Sequence, residues 1–70
     1  MENINIQFGK HLRKLRKKYK LTQEGLSEAS GLDYKYIQRL EGKNPSSPTL
    51  NSLEKLAKAF KINLSKLLEF

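Results

Sequence analysis

The chain of 70 residues has no cysteine, which excludes disulfides and thiolate metal sites and leaves stability to a hydrophobic core. Its one histidine, His11, cannot form a metal cluster alone, and no cofactor is expected. Long apolar runs are also missing. None is long enough to cross a membrane, and the opening MENINI carries acidic and amide residues where a secretion signal would have basic ones ahead of an apolar stretch. A soluble, cytoplasmic protein without membrane contact is expected. The sequence has no nucleophile paired with a base, no paired acidic site, no metal-ligand spacing and no glycine-rich phosphate loop, so the expectation is that it is not an enzyme.

Negative charge is scarce as well, with 7 acidic side chains against 14 basic ones and a formal net charge of +7. Half of the basic residues fall within the first twenty. That asymmetry favours a polyanionic partner over the plainer reading, a lysine-rich surface that keeps a small protein soluble. The length allows one small domain, residues 1–70, near the lower limit at which a core suffices without staples.

The stretch LTQEGLSEASGLDYKYIQRLE, Leu21 to Glu41, reads as two short helices joined by a tight turn. Thr22 can cap the first, whose inward residues Leu26, Ala29 and Ser30 lie three and four apart. Gly31 ends it, since glycine takes positive φ without penalty, and Asp33 is suited to cap the second. At about 100° per residue, Tyr36, Ile37 and Leu40 fall on one side of the second helix and Tyr34, Lys35, Gln38 and Arg39 on the other. The outer row carries donors, acceptors and one aromatic ring, and no carboxylate. Such a row suits the major groove, where base edges offer acceptors to Lys and Arg and paired sites to Gln.

Around this stretch the chain supplies support. Met1 to Ile6 reads as an arm or early helical turn whose Ile4 and Ile6 fold back on the core. From Gln7 to Tyr19, Phe8, Leu12, Leu15 and Tyr19 recur at helical spacing, with Lys10, Arg13, Lys14, Lys17 and Lys18 on the outer face. A basic amphipathic helix also suits an anionic membrane or a calmodulin-type partner, but neither needs the turn and second helix that follow. After Glu41 the run GKNPSSPT is loop-like. Ser47 as cap with Pro48 in the first helical position starts a helix carrying Leu50, Leu53, Leu56, Ala57 and Phe60. Asn63 caps a last helix, Leu64 to Phe70. With no strand pattern or repeat, an all-α five-helix bundle is expected.

From Phe8 to Leu68 this pattern resembles the Cro and phage-repressor class of helix-turn-helix DNA-binding domains. The resemblance is carried by LRKLR (Leu12 to Arg16), L-T-Q (Leu21 to Gln23), the S-G turn, Ile37 and Leu40, R-L-E-G-K (Arg39 to Lys43) and PTLNSLEKLAKAF. Within that class, the short controller proteins of restriction-modification systems are similar in length and in the G-L-D-x-x-Y-I segment, Gly31 to Ile37. The resemblance implies that Tyr34, Lys35 and Arg39 read bases, with Gln38 between them. It implies that Gln23 meets a phosphate beside the helix's own N-terminal amides. Arg16, Asp33, Lys43 and Asn44 are counted with the backbone-facing positions, although loop chemistry explains Lys43 and Asn44 nearly as well. A salt bridge between Arg16 and Glu41, fixing the angle of the reading helix, is implied too.

Departures from the family are Gly25, where a helix former is usual and where glycine costs up to ~1 kcal/mol relative to alanine, and Ser27 in place of the usual alanine. Tyr34 stands where many relatives have glutamine, and its ring can meet a thymine methyl or a phosphate.

The residues and the resemblance together point to a transcriptional regulator that binds double-stranded DNA in a sequence-specific way, with no small-molecule ligand. The rival reading is a protein-interaction module, such as an antitoxin, on the same bundle. A homodimer on an inverted-repeat operator is expected, because one reading helix covers too few base pairs. Leu64, Leu67, Leu68 and Phe70 are the interface expected from the crowded C-terminal seven residues.

Overall fold

Five helices follow one another in the computed structural model, which describes residues 2–70. They are α1 (Ile4–Lys18), α2 (Gln23–Ser30), α3 (Tyr34–Leu40), α4 (Leu50–Phe60) and α5 (Leu64–Leu67). No strand occurs among the described residues.

Every helix starts on a side chain that accepts a backbone N–H otherwise left without a partner. Asn3 accepts from Ile6, Thr22 from Gly25, Asp33 from Lys35, Thr49 from Ser52 and Asn63 from Lys66, all between 2.8 and 3.1 Å. Each such cap contributes on the order of 1 kcal/mol, a large share of the stability of so small a chain. At the other ends, Gly31 closes α2 at φ 76° and Lys61 closes α4 at φ 59°.

Several expected boundaries move. The first helix begins at Ile4, because Asn3 supplies a cap ahead of the apolar pattern, and Ile4 is 67% exposed rather than folded inward. Ile6 is half-buried, and the Met1 end of the expected arm lies outside the described residues. The cap of α4 is Thr49, not Ser47, which places Pro48 before the helix. Thr49 wins because its hydroxyl is also hydrogen-bonded to Ser52 Oγ (3.0 Å), which in turn accepts from Tyr36 Oη (3.1 Å), tying the new helix to α3. Leu50 then points outward, 75% exposed. The last helix ends at Leu67 rather than Phe70.

The core draws on all five helices: Phe8 and Leu12 from α1, Leu26 from α2, Ile37 and Leu40 from α3, Leu53, Leu56, Ala57 and Phe60 from α4, and Leu67 from α5. Six of these aliphatic side chains, Leu12, Leu26, Ile37, Leu40, Leu56 and Leu67, are fully buried, each contributing roughly 1.5–3 kcal/mol of transfer free energy. Ala29 is exposed where an inward position was expected, since α2 makes its main contacts through Leu26 against α3 and α4. Tyr19 is also exposed, with its ring lying over Phe60 at 5.4 Å.

One contact fixes α1 against α3 more tightly than side-chain packing could. Gly9 is buried at the crossing, and a Cβ built on it would fall 2.2 Å from the carbonyl oxygen of Leu40. Only glycine allows this approach.

Candidate nucleic-acid interface

The second helix of the motif divides as its periodicity requires. Ile37 and Leu40 are buried, Tyr36 is half-buried on Ser52, and Tyr34, Lys35, Gln38 and Arg39 face solvent together. Two members of this row are linked, with Gln38 Nε2 donating to Tyr34 Oη at 3.2 Å. Lys35 and Arg39 make no ion pair among the described residues.

Behind the row the pose of α3 is fixed by a two-pronged ion pair. Arg16 Nε donates to Glu41 Oε2 at 2.8 Å and Arg16 Nη2 to Glu41 Oε1 at 2.9 Å. The remaining nitrogen, Nη1, donates to the carbonyl of Leu21 at 3.0 Å, so a single guanidinium joins α1, the turn before α2 and the end of α3. The side chains are only 12% and 3% exposed. The hydrogen bond to Glu41 raises the Arg16 pKa above its ordinary value, the Glu41 charge adds to this, and burial opposes both. Arg16 therefore stays charged wherever the protein is folded near neutral pH. No buried side-chain polar atom among the described residues lacks a partner.

Gln23, half-buried, donates from Nε2 to the same Glu41 Oε1 at 3.2 Å. Its carbonyl oxygen is an acceptor, so what it can offer an anion is its second amide N–H. Asp33 is engaged as the cap of α3, accepting from the Lys35 N–H at 2.8 Å. A carboxylate repels a phosphate, which leaves Asp33 as a helix starter rather than a phosphate ligand. Lys43 and Asn44 are exposed in the loop after α3. Ser27, one of the departures from the family pattern, donates its hydroxyl to the Leu32 carbonyl across the turn. At Gly25, a Cβ would stand 3.2 Å from the capping oxygen of Thr22.

Sequence reasoning placed Arg13 among the residues of the basic outer face of α1 without a separate role, and did not mention Gly9. Arg13 walls an open cleft with Arg16, Thr22, Gln23 and Tyr34, and on its other side it walls a second one with Lys10, Gly42 and Lys43. It thus stands between the start of α2 and the loop after α3, a placement that distinguishes it from a lysine on a solvated face. The available signal was its position three residues before Arg16, on the adjoining turn of the same helix.

At the far end of the chain, Leu64, Leu68 and Phe70 are partly exposed, while Leu67 is fully buried. Leu67 is therefore core and unavailable to a partner: in a one-turn helix, one residue must point inward, and Leu67 seals the bundle under α4. Phe70 folds back so that its ring stacks on His11 at 5.2 Å and meets Phe8 at 5.9 Å. His11 Nε2 lies 2.7 Å from the Leu67 carbonyl, to which it donates.

Neither a cluster of potential metal ligands nor a helix long and apolar enough to cross a membrane occurs among the described residues. Comparison with known proteins adds three findings. The sequence profile of the helix-turn-helix family matches residues 12–67. The fold is similar to the crystal structure of the restriction-modification controller protein C.AhdI from Aeromonas hydrophila, with a TM-score of 0.84 and 36% sequence identity over 91% of this chain and 96% of that one. No curated protein matches the sequence. A profile match spanning all but the first eleven and last three residues, on a structure whose α2 and α3 form the motif, shows that the chain belongs to the helix-turn-helix family of the Cro and phage-repressor type.

Proposed function

We propose that the protein regulates transcription by binding a specific double-stranded DNA sequence, with α3 in the major groove and two copies on an inverted repeat. As a member of this family it is a DNA-binding regulator and not an enzyme. The observation that carries the finer reading is the exposed row Tyr34, Lys35, Gln38 and Arg39, free of carboxylates and set on a helix whose pose is fixed from behind by Arg16 and Glu41. Lys35 and Arg39 offer donors to guanine edges, and Gln38 offers a paired donor and acceptor. Gln23, Arg13, Arg16, Lys43 and Asn44 flank that row and would meet the phosphates on either side of the groove. Likeness to a restriction-modification controller supports the same role for this chain. Its activity would follow its own concentration and its pairing through Leu64, Leu68 and Phe70.

The test is selection of bound sequences from a random duplex pool, followed by titration against salt. With roughly six phosphates neutralised per dimer, log K should fall with log salt at a slope near −5, and the selected site should be an inverted repeat with half-site centres about 10 base pairs apart. A flat salt dependence would overturn the proposal in favour of a protein partner.

A further inference from the structure

We infer that the cleft between the start of α1 and the loop after α3 is a further site for a DNA backbone phosphate, gripped by Lys10, and that in the free protein Glu2 fills it as a stand-in for that phosphate. This rests on the proposed DNA-binding role and adds to it a contact outside the outer row of α3, together with a built-in competitor. Glu2, Lys10, Arg13, Gly42 and Lys43 wall the one open cleft. Lys10 Nζ donates to Glu2 Oε2 at 2.5 Å. The segment that carries Glu2 is itself held in place, since Gln7 Nε2 donates to the Glu2 carbonyl at 2.9 Å and the neighbouring Asn3 caps α1.

Charge accounts for an anion at this point. Glu41 also borders the cleft, but its carboxylate is taken up by Arg16 and Gln23. Three cations, Lys10, Arg13 and Lys43, therefore face one uncommitted carboxylate, and Arg13 and Lys43 make no ion pair among the described residues. A backbone phosphate carries the same single charge. Position favours a duplex over a free anion as the source of that phosphate, because Lys43 lies in the loop after α3 and Arg13 also walls the cleft at the start of α2 beside Tyr34. The side chains of Lys10 and Glu2 are 65% and 47% exposed, and an exposed pair is weak enough to open when another anion arrives. Lys10 then exchanges one oxyanion for another and Glu2 moves out to solvent. No base edge takes part, so the cost of displacing Glu2 falls on every duplex alike. It raises the protein concentration needed for binding without changing which sequence is chosen.

The experiment uses the full chain, with affinities for the selected operator and for a scrambled duplex measured at low salt. The proteins compared are wild type, Glu2→Gln, Lys10→Gln, the double variant and Glu54→Gln, which removes an equal charge on α4. Glu2→Gln should tighten binding about two- to fivefold per bound protomer, equally on both duplexes. Lys10→Gln should weaken both and lower the salt slope by about 1 per protomer. In the double variant the gain from Glu2→Gln should disappear. Glu54→Gln should leave affinity within about 1.5-fold of wild type, and all four variants should melt near the wild-type temperature, because exposed pairs contribute little to stability. The inference is overturned if Glu2→Gln leaves affinity unchanged, if Glu54→Gln tightens binding as much, or if the gain persists without Lys10. A wild type that binds no duplex would instead remove the proposed function, and this inference with it.

Discussion

The two shortest helices, α3 with seven residues and α5 with four, are held in opposite ways. α3 turns polar side chains outward and is restrained from behind and at both ends: by the Asp33 cap, by Tyr36 on Ser52, by Leu40 against Gly9, and by the buried pair that clasps Glu41. α5 turns leucines outward and is fastened by one buried side chain, Leu67, with His11 bonded to that residue's carbonyl and Phe70 folded over the imidazole. None of the restraints on α3 uses its outer row for packing against the bundle. The proposed entry of α3 into the major groove would need this arrangement, because contacts made by that face would have to be broken on binding. The outward leucines of α5 are the reverse case, gaining free energy only when another surface covers them.

The contrast is broken most strongly at Arg16. Arg16→Ala leaves the Glu41 carboxylate nearly buried without its partner, a change that costs about 3–5 kcal/mol, so urea unfolding should show most of the stability gone and operator binding lost with it. Replacing both partners, Arg16→Met with Glu41→Leu, should return most of the stability. A melting temperature for Arg16→Ala close to that of the parent would show that α3 is held by packing alone.

At the other helix, Leu67→Ala should cost ~2–5 kcal/mol as a buried leucine truncated to leave a cavity. Leu68→Glu, on the outward side, should leave monomer stability within about 0.5 kcal/mol and shift the sedimentation of the free protein towards monomer. If the two variants behave alike in both measurements, α5 has no division between an inner and an outer side.

Within the interface, Arg39→Ala should lose about 1–3 kcal/mol on the operator and relax preference at one base pair. Lys43→Ala should weaken operator and scrambled duplex equally and lower the salt slope by about 1. Equal losses on both duplexes for Arg39→Ala would assign it to the backbone. The smallest expected effect is at the junction leading into α5. Lys61 sits at φ 59°, and Lys61→Gly should relieve its left-handed strain for a net gain of about 0.5 kcal/mol after the entropy that glycine costs, read as a slightly higher melting temperature.

The motif was legible because its chemistry is local. Thr22, Gly31 and Asp33 punctuate α2 and α3 at short range, and the 3.6-residue period alone sorts Ile37 and Leu40 from Lys35 and Arg39. What was not legible depends on partners distant in sequence. Thr49 prevails over Ser47 as a cap because of Ser52 and, through it, Tyr36 on another helix. Leu67 cannot be told from Leu64 or Leu68 until the bundle decides which side of a one-turn helix faces in. Gly9 carried no signal in the sequence, and only the approach of the Leu40 carbonyl gives it a purpose.

That close approach at Gly9 has an implication for how such a protein can be altered. The spacing between α1 and α3 is set by main chain on main chain, so it has no rotamers and takes no instruction from the side chains that face solvent. Residues 34, 35, 38 and 39 lie on the opposite side of the same helix and can be exchanged without disturbing the frame. A library varied at those four positions, with Gly9, Arg16 and Glu41 kept, should yield folded proteins throughout and new operators among them, which makes the fold a fixed handle with an interchangeable key.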